Sequence, residues 1–145
     1  NTWNVIPEEA LVEGTTRSLS AEERALIRAR VCALAENMAA AHGATVETDW
    51  YEGPPATVND AFWASFAEET AKARNLNVVL APQSLGGEDF AFYQEKVPGM
   101  FVLVGTGLSH ALHNPGFCVD PNALAPTAHY LAKLVRAALK KVKER

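Results

Sequence analysis

Gly53-Pro54-Pro55 is the step that most restricts what this chain can fold into. Two adjacent prolines withhold two backbone donors and fix φ, so neither a sheet ladder nor a helix interior runs through them. Such a step stays extended and stiff, which marks it as a hinge between domains. Just ahead of it, residues 45–52 alternate Val46, Thr48 and Trp50 against Glu47, Asp49 and Tyr51, the period of a strand. Further back, Ser20-Ala21-Glu22-Glu23 carries a capping-box signature. Ile27, Val31, Leu34 and Met38 then recur at helical spacing up to His42-Gly43, where glycine ends a helix in the left-handed conformation. Residues 10–16 alternate as a half-buried strand does. Residues 1–53 are therefore expected to form a strand–helix–strand unit whose helix buries one face.

Residues 54–145 read as a second unit. Asp60 is placed to cap a helix whose face is Phe62, Phe66, Thr70 and Ala73. Residues 78–80 and 100–104 are short apolar runs beside helices, as in interior strands of a sheet covered on both sides. Polar loops span 82–90 and 108–119. Asp120-Pro121 opens the last helix, where the missing proline N–H costs nothing. Ala128, Leu131, Leu134, Val135, Ala138 and Val142 are expected to face the core, and the basic end complements the helix dipole. The expected fold class is α/β, with a smaller α+β piece in front.

Composition removes several function classes. A chain of 145 residues, 48% apolar and 21% charged, has the make-up of a packed domain rather than a disordered tail or a disulfide knot. Its formal net charge of −4 repels a phosphate backbone, so nucleic acid is not an expected partner. Lys140, Lys141, Lys143 and Arg145 read as a solvated helix end. No apolar run approaches the roughly 20 residues that cross a bilayer, and residues 1–17 lack the pattern of a secretory leader. Cys32 and Cys118 share no CxxC spacing, which suits reduced, buried thiols in a cytoplasmic protein. The chain opens on Asn1 and enters a strand pattern directly, as a piece of a longer or processed protein would.

Few residues invite chemistry. His113 stands in the loop Ala111-Leu112-His113-Asn114-Pro115-Gly116, where a neutral imidazole holds a divalent metal, moves a proton, or simply bonds to backbone. His110, three residues earlier, invites a paired ligand, though loop spacing sets no geometry. Gly86-Gly87 lets backbone approach a ligand closely, and Glu88-Asp89 either orients a metal-bound histidine or begins a helix. Arg17 offers a planar fork matched to a carboxylate, and Asn4 an amide donor. His42 and His129 fall within helical patterns and read as structural.

Five segments occur in an order that resembles a known family: "NVIPEEALVEGTTR" (residues 4–17), "GPPATVND" (53–60), "GGEDFAFY" (86–93), "PGMFVLVG" (98–105) and "LHNPGFCVD" (112–120). The pattern is similar to the C-terminal part of the metal-dependent amidohydrolases, the aminoacylase–carboxypeptidase family that includes hippurate and indole-acetyl-amino-acid hydrolases. The resemblance implies that residues 1–53 are the second half of a lid or dimerisation domain. Residues 54–145 would be the C-terminal part of a two- or three-layered α/β catalytic domain. By the same resemblance His113 matches a metal ligand. Asn4 and Arg17 match lid residues that hold the substrate carboxylate, and Gly86 and Gly87 match a pocket loop. Glu88-Asp89 has the form of the amino-acid-conjugate branch. The implied reaction is cleavage of N-acyl amino acids or small peptides by two divalent cations (Zn, Mn or Co), in a homodimer formed through the lid.

In that family the other metal ligands, the general-base Glu and the first half of the lid precede the part matched by this chain. One histidine cannot hold two cations, so the 145-residue chain alone is expected to be inactive. The missing lid strands would also leave an open sheet edge and an apolar face that recruit a partner. The competing readings are a non-catalytic dimerisation or association module of the same family, and a hydrolase built on His113 alone.

Overall fold

The computed structural model describes residues 3–107 and 110–143; Asn1, Leu108, Ser109 and Arg145, all touched on above, lie outside the described residues. Two compact units divide the chain. The first comprises Asn1–Ala56 with Leu85–Glu88, and the second Thr57–Ser84 with Asp89–Arg145.

In the first unit, helix α1 spans Ala21–Ala41. Its start is a reciprocal cap: Glu23 N donates to Ser20 Oγ at 3.1 Å, and Glu23 Oε2 accepts from Leu19 N at 3.1 Å. Its end is a Schellman turn, with Ala44 N donating to Ala39 O at 2.9 Å and Gly43 N to Ala40 O at 3.2 Å. Gly43 takes φ 70°, the left-handed conformation that glycine adopts without a Cβ clash. The expected buried face is not found. No residue of α1 is buried, and Leu34 and Met38 remain 64% and 61% exposed. What secures the helix within its unit is polar. Arg24 donates to the Gly53 carbonyl and meets Glu52 Oε2 at 2.9 Å, while Arg28 meets Glu52 Oε1 at 2.9 Å.

The second unit holds α2 (Ala61–Lys72), α3 (Phe90–Gln94) and α4 (Pro121–Lys143). Asp60 Oδ1 caps α2 by accepting from Trp63 N at 2.9 Å. Asp120 does the same at the head of α4, accepting from Asn122 N at 2.9 Å, with Pro121 in the first turn. Ala67 and Ala71 of α2 are buried, and their small side chains let Tyr130 of α4 come close. Tyr130 is 6% exposed, and its hydroxyl donates to Ala67 O at 3.2 Å. Burial pushes its phenol above the usual tyrosine range, because the phenolate would be poorly solvated there. Phe62, Trp63 and Phe66 form an aromatic cluster on α2, with ring centroids 4.9 to 6.2 Å apart. α3 is tied down by a side-chain clamp. Asn59 donates to Phe101 O at 2.9 Å and accepts from Phe101 N at 2.8 Å. Gln94 accepts from Val58 N at 3.1 Å and donates to Gly99 O at 3.2 Å.

The strands expected at 10–16, 45–52, 78–80 and 100–104 are not formed among the described residues, which contain helices alone as regular elements. Alternation reports which side chains favour burial. A strand exists only where its N–H and C=O groups meet those of a neighbour. These segments find none, so Leu80 is 99% exposed. At Phe101 the Asn59 side-chain amide takes the place of a neighbouring strand. Among the described residues no helix is long and apolar enough to cross a membrane. Cys32 is half-buried and Cys118 exposed, so burial of the second does not hold.

Candidate functional site

Arg17, Asn4, Gly86, Gly87 and Glu88 belong to the first unit, and Asp89 and His113 to the second. In the first unit the structure brings three residues together. A Cβ built on Gly87 would stand 3.0 Å from Arg17 Nη1 and 3.4 Å from Pro54 Cγ. The guanidinium therefore lies against glycine backbone, beside the first proline of the hinge. Its side chain is exposed and forms no ion pair among the described residues. An unpaired planar cation beside bare backbone suits a ligand carboxylate, which it grips through two parallel hydrogen bonds. Asn4 is exposed in a turn, and Glu88 is half-buried.

In the second unit, Asp89 precedes α3 as its N-cap residue but makes no side-chain capping bond. His113 is exposed and takes φ 66°, a left-handed conformation uncommon for a residue with a side chain. The loop around it is folded on itself. Asn114 N donates to Ala111 O at 3.1 Å, Gly116 N to Asn114 Oδ1 at 2.8 Å, and Phe117 N to Asn114 O at 2.9 Å. His110 Nδ1 is engaged with Gly116 O at 3.0 Å, a bond that leaves Nε2 as the other ring nitrogen. Sequence spacing had not shown that contact, nor the seat of Pro54 beside Gly87. His42 is the C-cap residue of α1.

As a donor, the exposed His113 imidazole fits a divalent cation. No group of three His, Cys, Asp or Glu side chains converges among the described residues, so they offer no complete cage. A shallow depression of about 430 Å³ between Val58–Asp60 and Gln94–Gly99 is no rival site, since Asn59 and Gln94 already spend their amides on backbone.

The model of "Peptidase family M20/M25/M40" matches residues 5–137. The chain belongs to this family. Two Bacillus subtilis (strain 168) proteins are similar to this M20 chain. An N-acetylcysteine deacetylase is 40% identical over 141 residues, 97% of this chain and 37% of its own length. An N-acetyl-L-cysteine deacetylase is 34% identical over 139 residues, 96% of this chain and 33% of its own length. The crystal structure of the B. subtilis YXEP protein, a dinuclear metal binding peptidase from the M20 family, superimposes with a TM-score of 0.86 at 40% identity. That match covers 97% of this chain and 39% of the other. The likeness supports an α/β peptidase fold. The M20 chain thus spans 33% to 39% of the length of these relatives.

Proposed function

We propose that this M20 chain works as the C-terminal part of a longer dinuclear-metal amidohydrolase that cleaves N-acyl amino acids or small peptides. The observation that carries the reading is Arg17, exposed against the Gly87 backbone and in no ion pair among the described residues. Arg17, with Asn4, anchors the substrate's free carboxylate, and Gly86 and Gly87 let the substrate lie close to backbone. Anchoring at one end orients the scissile amide at the other, which lowers the entropic part of the barrier. His113 would hold one of two divalent cations (Zn, Mn or Co), with Glu88 and Asp89 as the carboxylates proposed to orient a metal-bound histidine. When bound, such cations lower the pKa of a water toward neutrality and polarise the amide carbonyl. The further ligands and the proton-accepting Glu come from polypeptide outside these 145 residues.

The two deacetylases support N-acyl amino acids, with N-acetylcysteine as the first compound to try. In this reading residues 1–53 are half of a lid and residues 54–145 part of a catalytic domain, in a cytoplasmic protein. The uncovered apolar side chains of α1, Leu26, Leu34 and Met38 among them, support pairing of two copies through the lid. The test is release of free amino acid from N-acetylcysteine and hippurate by the full-length protein, after dialysis against chelator and return of Zn, Mn or Co. Metal-restored turnover is expected, with none from the 145-residue chain alone. Full turnover in the continued presence of chelator would contradict the proposal.

A further inference from the structure

One contact in the loop before α4 takes no part in the scheme above. His110 Nδ1 lies 3.0 Å from Gly116 O. A carbonyl oxygen can only accept, so the ring donates and its proton sits on Nδ1. The same ring fills the space over Gly116. A Cβ built there would stand 2.9 Å from Nδ1 and 3.0 Å from Cε1 of His110, and 3.2 Å from Asn114 Oδ1. Gly116 is not among the positive-φ glycines, Gly43 and Gly107, so it needs no special backbone freedom. Its missing side chain answers to its neighbours, and first to the His110 ring.

The span closed by this bond contains His113 at φ 66°. A left-handed conformation is unfavourable for an ordinary residue and persists where its surroundings impose it. Asn114 closes the local turn, through Asn114 N to Ala111 O at 3.1 Å and Gly116 N to Asn114 Oδ1 at 2.8 Å. The His110–Gly116 bond joins the two ends of the whole span.

We propose that His110 is a positioning residue: by donating from Nδ1 to Gly116 O it holds the loop that sets the direction of the His113 imidazole. This rests on the reading of His113 as a metal ligand. His110 acts through the loop, and Gly116 is the seat cut for its ring.

The test uses the full-length protein and four variants: His110→Ala, His110→Asn, Gly116→Ala and the His110→Ala/Gly116→Ala double. Zinc affinity is read by competition with a chromophoric chelator, and kcat and KM on an N-acyl amino acid. His110→Ala is expected to weaken zinc about tenfold, the lower end for lost outer support of a ligand. It should lower kcat and leave KM unchanged, because the carboxylate anchor lies in the other unit. His110→Asn, whose amide can donate to the same carbonyl, should recover most of the loss. Gly116→Ala should match His110→Ala, and the double should be no worse than either single. Wild-type zinc affinity in His110→Ala, or losses that multiply in the double, overturns the proposal. If the wild-type protein binds no zinc and releases no amino acid, the hydrolase reading fails on its own. The loop is then judged by ring nitrogen and amide NMR. An Nδ1–H tautomer for His110, and Asn114 and Phe117 amides that shift in His110→Ala, uphold the positioning role; an Nε2–H tautomer or unmoved amides overturn it.

Discussion

Arg17 Nη1 lies 3.0 Å from the point a Cβ on Gly87 would occupy. Any side chain at 87 must push the guanidinium aside by a few tenths of an ångström. Gly87 does not take a positive φ, so Gly87→Ala leaves the backbone unstrained and presses first on Arg17, with Pro54 Cγ at 3.4 Å beside it. We expect it to raise KM several-fold for substrates with a free carboxylate and to leave their methyl esters almost unchanged. Arg17→Ala removes the charge-assisted pair itself, worth about 1.5–3 kcal/mol, or roughly 10- to 100-fold in KM for the acids. Parallel kinetics on acid and ester check both; equal losses on the two would remove Arg17 from carboxylate binding.

Tyr130 ties α4 to α2 by donating to Ala67 O at 3.2 Å. Tyr130→Phe leaves that carbonyl short of a partner and should cost about 1 kcal/mol in urea unfolding near neutral pH. The pH dependence has a definite sign. Burial raises the phenol above its ordinary value of 10.0, so the folded state keeps a proton that the unfolded state releases. Stability is complete below about pH 10 and falls as pH rises through the folded value. The fall should be smaller in Tyr130→Phe; identical alkaline profiles would contradict the assignment.

Glu52 receives both Arg24 and Arg28 of α1 at 2.9 Å. The groups are partly exposed and screened, so Glu52→Ala should cost about 1 kcal/mol or less, with the cost shrinking in 0.5 M salt to a few tenths, on the order expected for surface pairs. Unfolding at two salt concentrations measures it. A salt-independent loss would mean that Glu52 acts through packing.

Helix ends were legible because they are local. Ser20 with Glu23, Gly43, Asp60 and Asp120-Pro121 each bond within a few residues of themselves, and the structure keeps all of them. Strands were not, because a strand needs a partner that its own alternation does not supply. Phe101 illustrates this: both its backbone groups go to Asn59, 42 residues away. Residue type alone offers Arg17 as a carboxylate fork, whereas its seat against Gly87 depends on how residues 85–88 return to the first unit. The buried face expected for α1 failed for the same reason as the strands, since periodicity names a face and not what covers it. The contact of the His110 ring with the Gly116 carbonyl was not legible either, because spacing in a loop sets no geometry.

His113 is proposed to hold a cation in an amide-cleaving site. Its most direct test is metal content by elemental analysis of the full-length protein and its His113→Ala variant, purified in parallel and equilibrated with zinc. Two cations per chain are expected in the wild-type protein, fewer in the variant, and no turnover of N-acyl amino acids by the variant. Equal metal content in the two proteins would contradict it.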